Sequence, residues 1–259
     1  MGASAPLAGR GPAGGLPGEG SGQAGWDPAS PSRTDEATWR EALEARPELS
    51  TGAWQSVLVV APHPDDETIG VGATIAGLAR RGVRVRVLFL TDGEASHPGL
   101  LGLGERRAAE ATDALARLGL PTGWAERLGW ADGRLARDID GLAAAIAARV
   151  MIGDVVLSTW PGDGHPDHRA AGIAAQHAAT GCRVAAWWYP VWAWHHEARD
   201  GPLLQGAERV PVAPADLDAK RMALAAYRSQ LTDLLGPPIV PPGFLAHHLR
   251  PFEVLVPCG

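Results

Sequence analysis

The chain has 259 residues, 46% of them hydrophobic and 20% charged, enough apolar content for a large core, so a disordered or fibrous chain is excluded for most of its length. Its 23 basic and 29 acidic side chains give a net charge of −6 with no basic run, which argues against a phosphate-neutralising nucleic-acid surface. Cys182 and Cys258 offer neither a disulfide framework nor a thiolate zinc site, and no apolar stretch approaches the roughly 20 residues of a membrane span; a cytoplasmic domain is expected, with any metal held by His and carboxylate.

Residues 1–33 are dominated by Gly, Ala, Pro and Ser and read as a disordered tail ahead of a single domain, 34–259. A short helical pattern at 35–49 opens that domain. The body then alternates β-rich runs with helical ones, the signature of successive βαβ units and a parallel sheet. Residues 57–61 (VLVVA) form a continuous apolar run expected of a strand buried on both faces. A helix is predicted at 68–80, a second strand at 83–90, a helix at 105–118 stopped by Gly119, and a third strand near 126–128. Ile139, Leu142, Ile146 and Val150 stripe the next helix, followed by a strand at 154–159, a helix at 168–179 and a fifth strand at 183–189. A last helix is predicted at 216–231, and 252–256 reads as an edge strand. The expected fold is α/β and Rossmann-like: a doubly wound, mostly parallel sheet in the order 3-2-1-4-5, with helices on both faces and ligands at the carboxyl ends of strands one and four.

The unusual sequences fall in those two loops. After strand one comes Pro62-His63-Pro64-Asp65-Asp66-Glu67; after strand four comes Gly162-Asp163-Gly164-His165-Pro166-Asp167-His168. Taken singly, either loop reads as a helix cap or a surface turn. Together at adjacent strand ends they supply the His and carboxylate donors that catalytic zinc takes, three from the protein and a fourth position for water.

These motifs also resemble a known family, the LmbE-like, PIG-L type zinc-dependent de-N-acetylases, which remove acetyl from N-acetylglucosamine units. Ala61-Pro62-His63-Pro64-Asp65-Asp66-Glu67 is close to the family's A-H-P-D-D-E signature, and His165-Pro166-Asp167-His168 is its second signature. Weaker matches are Thr91-Asp92-Gly93-Glu94, Glu105 to Glu110 and Tyr227-Arg228-Ser229-Gln230, so the likeness spans about 57–256. It implies one Zn2+ per chain on His63, Asp66 and His168, with Asp65 as general base toward water at the metal; a carboxylate free of the metal keeps the basicity that a ligand loses. His165 is left to stabilise the oxyanion as imidazolium or to protonate the leaving amine, with Asp167 hydrogen-bonded to that imidazole and raising its pKa. Glu67 reads as a helix-start or supporting residue. One branch of the family typically carries a tyrosine two residues before the first histidine of the second motif; here that residue is Asp163.

Substrate contacts are expected from Asp92 after strand two, from Arg107 or Arg106, and from Trp192, Trp194 and His195 beyond strand five, where aromatic faces can stack on a sugar. Gly70-Val71-Gly72 lacks the third glycine of a dinucleotide loop, and no G-x-S-x-G elbow occurs. The expected activity is removal of an N-acetyl group from an amino sugar or its conjugate. An amidase acting on another acyl amide or thiol conjugate, and a binding module without chemistry, are the alternatives, the second disfavoured by an intact Asp65 beside a complete ligand set.

Overall fold

The computed structural model describes residues 32–234, 237–241 and 243–259. In chain order the elements are α1 (Glu36–Glu44), β1 (Ser56–Ala61), α2 (Asp66–Arg80), β2 (Arg84–Thr91), α3 (Leu103–Arg117), β3 (Ala125–Trp130), α4 (Ile139–Ala147), β4 (Asp154–Thr159), α5 (Pro166–Cys182), β5 (Ala185–Tyr189), α6 (Ala193–His196), β6 (Glu208–Pro211), α7 (Pro214–Leu224), α8 (Arg228–Leu231) and β7 (Phe252–Pro257). One seven-stranded sheet runs β3-β2-β1-β4-β5-β7-β6. Its first five strands are parallel, in the predicted order, and β7 pairs antiparallel with both neighbours.

The continuous apolar run of β1 is explained by its place at the centre, where all six residues are buried. Val57 and Val59 join a core with Ile69, Ile75, Leu115 and Leu224 on one face, while Leu58 and Val60 join Leu142, Ile146 and Ala174 on the other. Burial of each large aliphatic side chain contributes roughly 1.5–3 kcal/mol. The loops after β1 and β4, which bracket the reversal of strand order, therefore meet at the carboxyl edge.

Three expectations need correction. The strand foreseen at the edge, β7, lies inside the sheet, because β6 covers it; four residues ending in proline gave β6 too weak a pattern to be foreseen, and an edge is where a strand proline is tolerated. The helix predicted at 216–231 breaks between α7 and α8, where Tyr227 leaves helical geometry (ψ 56°) and turns its ring into the core. Of the predicted tail, 1–31 lie outside the described residues, but Ser32 and Arg33 are placed on the domain. Ser32 Oγ lies 3.1 Å from both His195 Nδ1 and His247 Nε2, and Arg33 N donates to His195 O. No helix among the described residues is long and apolar enough to cross a membrane.

Candidate metal and catalytic site

The β1 loop turns sharply into α2 at Asp65, whose φ of 134° lies in the region that L side chains avoid. Several bonds hold it there. Arg107, 3% exposed, donates to Pro64 O (2.8 Å) and Gly93 O (3.0 Å) and reaches Asp65 Oδ1 at 3.1 Å. Glu67 Oε2 accepts the Asp65 N–H at 3.1 Å, and its Oε1 accepts from the hydroxyls of Tyr227 and Thr68. Backbone outliers of this kind cost of order 1–3 kcal/mol and persist where the surroundings over-determine them. Asp65→Gly is accordingly expected to be more stable than Asp65→Ala by about 1–2 kcal/mol, the reverse of glycine's usual disadvantage. Chemical denaturation of the two variants measures the difference; an alanine variant equal to or better than glycine removes the strain argument.

The turn brings His63, Asp66 and His168 together with their donor atoms within 4.8 Å of one another. His63 Nδ1 lies 3.1 Å, and His168 Nε2 3.3 Å, from the same oxygen, Asp66 Oδ2. Each imidazole is backed on its other nitrogen by carboxylate: His63 Nε2 is 3.1 Å from Asp132 Oδ1 and 3.4 Å from Asp167 Oδ2, and His168 Nδ1 is 2.6 Å from Asp163 Oδ2. Backing of this sort fixes the tautomer and leaves the inner nitrogen a lone pair for a cation. His168 Nε2 is buried and has no hydrogen-bond partner, which a bound cation would supply. A second grouping, His63 with His165 and Asp167, also lies within 4.8 Å, but it would use the His63 nitrogen that faces carboxylates.

The electrostatics point the same way. Carboxylates of Asp65, Asp66, Glu67, Asp132, Asp163 and Asp167 converge here against the permanent charge of Arg107. Burial pulls the His168 pKa down, but Asp66 and Asp163 outweigh it and hold it at about 9; His63 is raised against burial by Asp132, Asp167 and Asp66. Asp66 is held well below the usual carboxylate range, its burial outweighed by His168 and His63. Asp65 behaves oppositely: burial, opposed by Arg107 and reinforced by the Asp66 charge, pushes it up to about 7.

His165 and Asp167 depart from expectation. The Asp167 carboxylate accepts from Gly133 N (2.7 Å) and Leu135 N (3.1 Å) and faces His63, while its backbone N–H donates to His165 Nδ1 at 3.1 Å. Burial, aided by the charges on His168 and His63, lowers the His165 pKa to about 2. Because Nδ1 accepts the Asp167 N–H, the neutral ring carries its proton on Nε2.

A cavity of about 280 Å³ opens on the cluster, with His63, Asp65, Arg107, Asp132 and His165 at its polar side and Ile69, Trp192, Ile239 and Val240 along the rest. Of the substrate candidates, Arg107 and Trp192 line it, and Arg106 is exposed on the outer side of α3. Asp92, Trp194 and His195 do not. Asp92 turns outward to Arg127 (2.7 Å); Trp194 packs edge-on against Trp39 with the Arg250 guanidinium 4.2 Å from its ring centroid; His195 faces Ser32. Two residues go unforeseen. Asp132 lines the cavity, and its signal is its place just past a parallel strand, β3, as Asp92 stands just past β2. Asp163, in the sequence a member of the second loop with no role assigned to it, is fully buried and accepts four bonds: from His168 and from the backbone N–H groups of Val191, Trp192 and Ala193 at 2.7–2.9 Å.

Known proteins resemble this chain in sequence and fold. The PIG-L family, described as GlcNAc-PI de-N-acetylase, matches residues 58–179. A probable N-acetyl-alpha-D-glucosaminyl L-malate deacetylase 2 of Bacillus anthracis is 27% identical over 69% of this chain and 84% of its own length. A 1D-myo-inositol 2-acetamido-2-deoxy-alpha-D-glucopyranoside deacetylase of Mycobacterium sp. (strain KMS) is 34% identical over 56% of each chain, so the match spans little more than half of that relative. Among solved structures, a conserved protein of Thermus thermophilus superposes with a TM-score of 0.54 at 30% identity, over 69% of this chain and 80% of that one.

Proposed function

We propose that this chain, which belongs to the PIG-L family, is a metal-dependent hydrolase that removes the N-acetyl group of an amino sugar or amino-sugar conjugate, giving acetate and a free amine. The observation that carries the reading is the buried trio His63, Asp66 and His168, with one nitrogen of each imidazole facing the same Asp66 oxygen, opening on a cavity that also holds Asp65 and His165. Two imidazoles and one carboxylate are a donor set that suits zinc with room for water, and one Zn2+ per chain is the assignment we favour. When bound, the metal polarises the acetamide carbonyl and acidifies water.

The chain's own groups supply the rest. Asp65 takes a proton from the attacking water; a carboxyl tuned to about 7 is well matched to that task near neutral pH. Arg107 steadies that carboxylate from the side and faces the cavity. His165, neutral and protonated on Nε2, donates a hydrogen bond to the oxygen that gains charge as water adds to the carbonyl. The proton held on Asp65 then passes to the departing nitrogen, so water is split between acetate and amine. Asp132, Arg107 and Trp192, which line the cavity, are the residues we assign to contact the sugar. Residues 34–259, built on one sheet, act as one catalytic domain, and two free thiols, Cys182 and Cys258, are consistent with a reducing compartment such as the cytoplasm.

Elemental analysis of the purified protein is expected to find about one transition metal per chain, lost or weakened in His168→Ala. Assay of acetate release from N-acetylglucosamine, its glycosides and its inositol and malate conjugates is expected to identify a substrate turned over by the wild type and not by that variant. A protein that takes up no metal after reconstitution, or that releases longer acyl groups in preference to acetate, overturns the proposal.

A further inference from the structure

The helix that begins at Asp66 is interrupted one turn later. Val71 stands at φ −136°, ψ 21°, outside helical geometry, between Gly70 and Gly72. Both glycines are needed by close packing: a Cβ on Gly70 would overlap the Tyr189 ring, and one on Gly72 would come within 3.1 Å of Lys220 Cγ. In an unbroken helix the Ala73 N–H donates to the Ile69 carbonyl. Here Ala73 N donates to Glu253 Oε1 (3.0 Å) and Thr74 N to Glu253 Oε2 (2.7 Å), while the Ile69 carbonyl accepts from Lys220 Nζ (2.7 Å). Lys220 Nζ and Glu253 Oε1 are themselves 2.6 Å apart. An ion pair is thus inserted into the ladder of α2, satisfying the carbonyl on one side of the break and the N–H groups on the other.

The pair is 0% and 4% exposed, and Lys220 is the only lysine among 23 basic residues. A compact ammonium fits where Gly72 packs against the stem and a guanidinium fork does not. Stability alone is a poor reason for such a pair, since well-packed apolar residues in its place are often neutral or stabilising. What the break changes is the angle of the turn 66–70, which carries Asp66 and Glu67.

We infer that Lys220 and Glu253 are positioning residues, which hold α2 open so that its first turn presents Asp66 to both imidazoles. The inference rests on reading His63, Asp66 and His168 as metal ligands. Either single substitution, Lys220→Met or Glu253→Gln, disturbs a buried charge and compromises folding, so the informative variant is Lys220→Met with Glu253→Met. With both charges gone, Ala73 N–H can return to Ile69 C=O and α2 can close. The double variant is expected to match or exceed the wild type in denaturant midpoint, yet to bind zinc roughly 10- to 100-fold more weakly in chelator competition, the scale of outer-ligand perturbations. Its Co2+ form is expected to show an altered visible spectrum. Wild-type zinc affinity and Co2+ spectrum in the double variant overturn the positioning role while leaving the metal site intact; a double variant that does not fold overturns it too, because the pair then serves the fold. A wild type that binds no zinc overturns the metal reading itself, and this inference with it.

Discussion

Asp65→Asn keeps its metal and loses turnover by about 10²- to 10⁴-fold, the contribution of a positioned general base. The substitution is nearly isosteric. Its Oδ1 can still face Arg107, and His63, Asp66 and His168 are untouched, so elemental analysis is expected to find the wild-type metal content in the inactive protein. The pH dependence of stability gives an independent handle on the same group. In the metal-free protein the Asp65 carboxyl holds its proton up to about pH 7, whereas in the unfolded chain it releases it near the ordinary carboxylate range. Between those values the native state binds more protons than the unfolded state, so Asp65 makes stability fall as pH rises through that window. Asn has no such titration, and the metal-free variant is expected to lose less stability from pH 5 to 7.5 than the wild type. Near wild-type turnover in Asp65→Asn would sink the base assignment, and an unchanged pH slope would sink the argument that burial tunes this carboxyl.

How much of this could be read in advance follows from the range of the interactions involved. The central strands were legible because burial on both faces writes an uninterrupted apolar run, as in 57–61, and their order followed from the alternation of strand and helix. Strand β6 was not, since four edge residues carry little pattern, and Tyr227 hid within a helical register because the break there is imposed by a tertiary partner, Glu67. At the site, His63, Asp65, Asp66 and His168 stood out by local spacing. The partners that tune them did not: Asp132 reaches His63 across 69 positions, and whether Asp92 or Asp132 faces the cluster depends on Arg127 drawing Asp92 away. Trp194 shows the converse, because an aromatic just past a strand end is equally suited to a sugar or to a core, and here Trp39 and Arg250 decide for the core.

Asp163 is the clearest instance, and its substitution separates metal affinity from folding. The carboxylate accepts from Val191 N and Ala193 N on Oδ1 and from Trp192 N and His168 Nδ1 on Oδ2, with no exposed surface. In Asp163→Asn the amide oxygen can keep the two bonds on one side. The NH2 group then faces two donors; it meets the Trp192 N–H without a bond and offers its own hydrogen to His168 Nδ1. His168 can accept only by moving its proton to Nε2, the nitrogen that must be bare to hold a cation. The expected result is a folded protein, destabilised by about 1–3 kcal/mol for one stranded N–H, whose metal affinity falls at least 10- to 100-fold. Asp163→Ala reverses the balance: three backbone N–H groups lose their acceptor, so the loss of stability is larger, while no donor faces His168 Nδ1 and the ring can take its proton there when a cation occupies Nε2. Asparagine is therefore expected to be the better folder and the poorer metal binder of the two, as read by denaturant titration and chelator competition. If alanine proves the poorer in both, Asp163 acts through the α6 backbone it caps and not through the tautomer of His168.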